Sequence, residues 1–234
     1  VPEADLAAWV PIFALGLVNT FGSTALYRAF ERGLLSVVSP IASTCGAFTV
    51  LIAVAMGRGP GLALGMACAV LIAGVVLISA VSDQDGAHKS AEEQSSGIVW
   101  AGVSALVFGG VFYALESAGS AVGPVWTVAV LRIVAAPLLW AWLVRGERPE
   151  SGWAPGAVWL PLAGAVLLDG TGLVVYTYGT SLGDISVVAV LTSMFSAVTV
   201  LLAQRYLNEK LSPRQWFGVL LTLGGVAAVI ALGS

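Results

Sequence analysis

Long stretches with no charge to offer to water decide what this chain can fold into. A helix needs about 20 mainly apolar residues to cross ~30 Å of hydrocarbon. The sequence supplies such runs at roughly 9–29, 33–56, 61–81, 97–118, 123–144, 156–178, 184–206 and 213–232. Only 10% of the 234 residues are charged, where a soluble domain carries about a quarter, so the chain lacks the polar surface to face water. In lipid the backbone must satisfy its own polar groups, which admits helices and closed barrels. Runs of this length predict helices. The expected fold is all-α, a polytopic membrane bundle with eight spans in this chain.

Charge and composition exclude several functions. A net charge of −3 and a pI near 5.0 argue against a nucleic-acid partner, which requires clustered Lys and Arg. Cys45 and Cys68 lie in apolar runs without CxxC spacing and read as small buried hydrophobes. The sole histidine, His88, falls in a polar segment, which leaves no HExxH zinc site and no Ser-His pair in the membrane. No phosphate-binding loop or GxSxG elbow occurs. No cofactor, metal or enzyme activity is expected. Val1 to Ala8 has no basic n-region, so no signal peptide is read there, and the chain is expected to be a fragment or a processed form.

The connections are short except for one. Ser82 to Ser96 is rich in Asp, Glu, Gln and Ser and reads as a linker between halves. A search for repeats finds a register of 150 residues without gaps. It places Trp9 on Trp159, Pro11 on Pro161, Asn19 on Asp169, Gly22 on Gly172, Gly33 on Gly183, Ser36-Val37-Val38 on Ser186-Val187-Val188, and Thr49-Val50-Leu51 on Thr199-Val200-Leu201. The three spans before the linker match the last three of the five after it. The expected parent has ten spans in two halves of five. An odd number of spans per half sets the halves in opposite orientations, the plan of many secondary transporters. This reading divides the chain into a truncated first repeat at 1–82, a linker at 83–96 and a complete second repeat at 97–234. Basic residues concentrate on the side of Arg28, Arg32, Lys89, Arg145, Arg148, Arg205, Lys210 and Arg214, against Arg58 on the other. The positive-inside rule makes the richer side cytoplasmic and the C-terminus external.

Two charges sit near span centres: Arg132 and Asp169. Left uncompensated, each costs on the order of 3 kcal/mol, so both are expected to face the bundle interior, a partner or a water-filled cavity. They either bind solute (Arg132 an anionic group, Asp169 an amine or a proton) or tie to each other or to carbonyls. Gly172, Tyr176 and Thr180 follow Asp169 at +3, +7 and +11, one small or polar stripe that either lines a solute path or packs helices. Asn19 is its repeat mate. On the fourth span Tyr113 offers a hydroxyl to a cavity, while Glu116 reads as a hydrated cap. Ser193 shares a face with Ser186 and Ser196, where hydroxyls mostly bond within the helix or to a neighbour. Gly61, Gly65, Ala69 and Ala73 make a small-residue stripe for packing within the monomer or in a homodimer. Pro40 and Pro137 are expected to kink their spans.

Several segments carry a resemblance. They are Leu173 to Tyr176, Val187 to Ser193, Asn208 to Gly218, Gly224-Gly225-Val226, Gly109 to Ala114, Gly123-Pro124 and Leu131-Arg132. Together they are similar to the EamA family of the drug/metabolite transporter superfamily, over essentially the whole chain. The resemblance implies ten helices in two inverted halves and movement of metabolites, amino acids or drugs, often outward. It also implies both termini in the cytoplasm, against the charge count, and we follow it there. Arg132 matches a family arginine, which raises its share of scaffold duty. Gly59, where the second half has Glu209, departs from the pattern, as does Ser196 where the family often has proline. The expected function is a secondary transporter in a bacterial inner membrane, with a small-molecule substrate and the lipid bilayer as partners. The alternative is a non-transporting scaffold or assembly subunit.

Overall fold

The computed structural model describes residues 6–58, 61–78, 91–145, 155–192 and 213–233, and positions 195, 198, 199, 202 and 205 singly. Among these residues all regular structure is helical. The helices are α1 (Leu6–Arg32), α2 (Leu35–Ser43), α3 (Cys45–Ala55), α4 (Leu62–Ile78), α5 (Ala91–Val122), α6 (Pro124–Arg145), α7 (Pro155–Leu182), α8 (Ile185–Thr192) and α9 (Pro213–Gly233). Four stretches among the described residues are long and apolar enough to cross a bilayer: Ala7–Arg32, Val37–Ala55, Glu92–Val122 and Pro124–Ala141. Ser193, Ser196, His88 and the charged loop 206–212 lie outside the described residues.

Local chemistry explains where the helices stop. Pro40 has no N–H to donate to the preceding turn, yet the break in the second span comes four residues later. At Thr44 the backbone N–H and Oγ1 both donate to the Ile41 carbonyl, at 3.1 and 2.7 Å. This tight turn ends α2, and the chain restarts as α3. Pro137, by contrast, sits inside a continuous α6. α3 ends in a left-handed cap at Gly57 (φ 73°), where Arg58 N–H donates to Ala53 and Gly57 N–H to Val54, the Schellman pattern. Gly123 (φ 87°) closes α5, and Pro124 opens α6, where a missing N–H costs nothing. α5 starts at Ala91, within the stretch read as linker. Glu92 and Glu93 fall in its first turn, where carboxylates favour the positive end of the helix dipole.

The chain divides into two compact units. One comprises Val1–Thr20 and Ala114–Leu182, hence the first part of α1, the end of α5, α6 and α7. In it α6 packs on α7, and Gly119 of α5 admits the Thr177 side chain of α7 so closely that a Cβ there would collide with it. Thr127 Oγ1 donates to the Ala118 and Gly123 carbonyls at 3.1 and 2.9 Å, pinning the α5–α6 turn. The other unit comprises Phe21–Tyr113 and Gly183–Ser234. There α4 runs along α9, and α3 packs on α8. Ala29, Val38 and Ala101 form a buried cluster with Leu26, Phe30, Ile41 and Trp100 around it. Thr49 Oγ1 bridges its own helix and α5, donating to Cys45 at 3.0 Å and Gly109 at 3.1 Å. Arg28 stacks over Trp100 at 5.2 Å, a cation–π contact at a helix end.

Candidate functional site

The two charges expected at span centres meet. Arg132 Nη2 of α6 lies 2.6 Å from Asp169 Oδ2 of α7, a charge-assisted contact that fixes the register of two adjacent helices. Their surroundings differ. Arg132 is about one-third exposed (34%), and its Nε is buried with no hydrogen-bond partner among the described residues. Asp169 is 66% exposed, between Leu168 and Val166, which are also bare. The sequence left bundle interior, partner and water-filled cavity open for this carboxylate; among the described residues it is exposed on α7 and meets Arg132 as its partner. The arginine supplies its counter-charge, which explains how a charge persists among apolar neighbours.

The remaining candidates separate by unit. Asn19 on α1 is 5% exposed, and Tyr176 on α7 is also buried; each has an interaction partner. Glu116 on α5 is half-buried and has a partner, while its backbone carbonyl accepts from Ser120 Oγ at 2.8 Å. These three share the first unit with the ion pair. Tyr113, half-buried, belongs to the second unit, and Ser193 lies outside the described residues. The stripe along α7 changes character: Asp169 and Gly172 are exposed, Tyr176 and Thr180 are buried.

Most hydroxyls turn back onto their own helix. Thr20 Oγ1 donates to Gly16 (2.8 Å), Thr177 to Leu173 (2.8 Å), Thr180 to Thr177 (2.9 Å) and Thr192 to Val188 (2.8 Å). Such bonds satisfy the group in an apolar setting and bind no solute. Three buried hydroxyls, on Ser39, Ser104 and Ser186, have no partner among the described residues. Thr177 was not singled out from the sequence. Its contact with Gly119 depends on a small residue in another helix, a pairing that the composition of either helix alone does not reveal.

Helices throughout the described residues, apolar spans among them and an ion pair held between two helices are the features of an integral membrane protein. The family comparison agrees: the model of the EamA-like transporter family matches residues 95–231. That is more than half of the chain, and the chain belongs to this family, whose members are membrane transporters of small molecules. One solved structure, titled only as a crystal structure of a protein, is similar in fold. It is 22% identical, with a TM-score of 0.70, and the match covers 95% of this chain and 77% of that one. No curated protein matches.

Proposed function

We propose that the protein is a secondary transporter, moving small metabolites, amino acids or drugs by alternating access, outward across a bacterial inner membrane. The observation that carries this reading is the Arg132–Asp169 pair, set near the middle of two spans in a chain of a transporter family. An ion pair in an apolar setting is a ready exchange site. A solute carboxylate competes with Asp169 for the guanidinium, and a solute amine or a proton competes with Arg132 for the carboxylate. A zwitterionic solute that offers its carboxylate to Arg132 and its amine to Asp169 keeps both protein charges compensated, which the cost of a bare charge in lipid favours.

The domain reading supports the same mechanism. Residues 1–82 belong to one repeat and 97–234 to the other, in opposite orientations. Its support is the 150-residue register and the packing of α4 along its mate α9. Contacts between equivalent elements are what a pseudo-two-fold axis produces. On this reading Asn19, Tyr176 and Glu116 belong to the substrate pathway with the ion pair, and Tyr113 and Ser193 are further pathway residues.

The test is metabolite release from cells expressing the full-length protein, followed by vesicle transport of whichever solute is released. Asp169→Asn is expected to reduce transport at least tenfold, on the order of 1.4 kcal/mol or more in transition-state terms, and to alter its pH dependence. If Asp169→Asn and Asp169→Ala both transport like the parent at every pH, the ion pair is scaffold.

A further inference from the structure

Where α1 ends beside the start of α5, two arginines line one seam. The backbones nearly touch there. A Cβ on Gly97 would stand 2.7 Å from the Gly33 nitrogen and 3.2 Å from the Ala29 carbonyl oxygen. That approach sets Arg28 over the Trp100 ring at 5.2 Å. One turn further out, Arg32 Nη1 donates to Ser96 Oγ at 2.9 Å. Residues four apart share a helix face, so the two guanidiniums stand in line along α1, against Trp100 and Ser96 in line along α5. A ring and a neutral hydroxyl hold these side chains in place and neutralise neither charge.

Helix length gives the depth of the seam. α5 has 32 residues, about 48 Å at 1.5 Å per residue, against ~30 Å of hydrocarbon. Its polar end, Glu92 to Ser96, therefore stands beyond the hydrocarbon. Trp100 falls near the headgroups, where tryptophan rings concentrate. Arg28 is half-buried and Arg32 exposed, both at that level. Tyr27 and Val99 next to the seam are 64% and 62% exposed, which leaves amphipathic and apolar surface beside the charges.

We infer that the seam of Arg28 and Arg32 binds the phosphate of an anionic phospholipid at the edge of the bilayer. Two guanidiniums one turn apart can share one phosphodiester through charge-assisted hydrogen bonds, and basic groups between helices at this depth attract anionic headgroups. Carboxylates limit the attraction. Glu31, Glu92 and Glu93 are exposed at the same helix ends, and Glu31 and Glu93 have interaction partners. Glu92 continues the line of Ser96 and Trp100 toward water, where it opposes a bound phosphate.

Native mass spectrometry of the purified full-length protein tests this, with phosphatidylglycerol, phosphatidylcholine and soluble glycerophosphoglycerol as probes. Arg28→Gln and Arg32→Gln should each weaken phosphatidylglycerol binding about fivefold, and phosphatidylcholine binding should not change. Glu92→Gln should strengthen it by about twofold. Arg28→Lys combined with Arg32→Lys keeps both charges and should stay within about threefold of the parent, which separates loss of charge from loss of fold. Phosphatidylglycerol binding undiminished in the glutamine variants overturns the inference. So does a lysine pair as weak as the glutamine pair, or equal binding of the two lipids. Glycerophosphoglycerol binding as tightly as the whole lipid would make this a site for a free anion, and overturns it too.

Discussion

α1 and α7 are aligned residue for residue, yet one places an amide where the other places a charge. Asn19 is neutral and buried; Asp169 is charged, exposed and held by Arg132. A buried amide needs only hydrogen-bond partners, whereas a carboxylate facing apolar surroundings needs a counter-charge. On the proposed repeat reading, the difference assigns the ionic work to one half. It locates the expected solute chemistry on α6 and α7.

The largest effect should come from breaking the charge balance. Arg132→Leu and Asp169→Leu each leave one charge without its partner, at a cost on the order of 3 kcal/mol. Thermal unfolding in lipid nanodiscs should show both single variants losing several degrees. The double variant should lose less than the sum, because it removes both charges. Strict additivity would mean that the contact contributes nothing to the fold.

Exchanging the polar groups between halves sharpens the comparison. Asn19→Asp puts a carboxylate in a buried position and should destabilise by about 2–3 kcal/mol. Asp169→Asn, which leaves an acceptor for Arg132, should cost about half as much. Equal losses would make the two faces alike. Smaller still is the packing difference. Gly16→Leu must displace Val134, at about 1–3 kcal/mol, while Val166→Leu in this chain should stay within about 0.5 kcal/mol.

The smallest effects belong to the hydroxyls. Thr49→Val removes a bond from α3 to the Gly109 carbonyl of α5, and interhelical bonds of this kind average about 0.6 kcal/mol. Thr20→Val removes only a bond to its own helix and should be near neutral. A larger loss from Thr20→Val than from Thr49→Val would contradict the assignment.

The spans were legible because lipid leaves a coarse mark, long runs without charge, and the described helices follow those runs. Their interruptions were less so. Pro40 signalled a disturbance in the second span, but the break falls at Thr44, where a side chain competes for the Ile41 carbonyl. The start of α5 at Ala91 was read as linker because its composition is polar, although Glu92 and Glu93 suit a first helical turn. At the site, Arg132 and Asp169 each stood out as costly charges, and their pairing was one of the alternatives open in the sequence. Choosing it required the register of α6 against α7, which a single sequence does not encode. Which of the settings left open for Asp169 applies was hidden for a related reason. A polar stripe at helical spacing shows which residues share a face, while what covers that face depends on other helices.

Side-selective labelling tests the inverted arrangement most directly. In the full-length protein with Cys45 and Cys68 replaced by alanine, single cysteines are introduced as Ala7→Cys at the start of α1 and Ala157→Cys at the start of α7. Each is then exposed to a membrane-impermeant thiol reagent from one side of sealed, oriented vesicles. With equivalent helices laid in opposite directions, one cysteine is modified only from outside and the other only from inside. Modification of both from the same side would contradict the account.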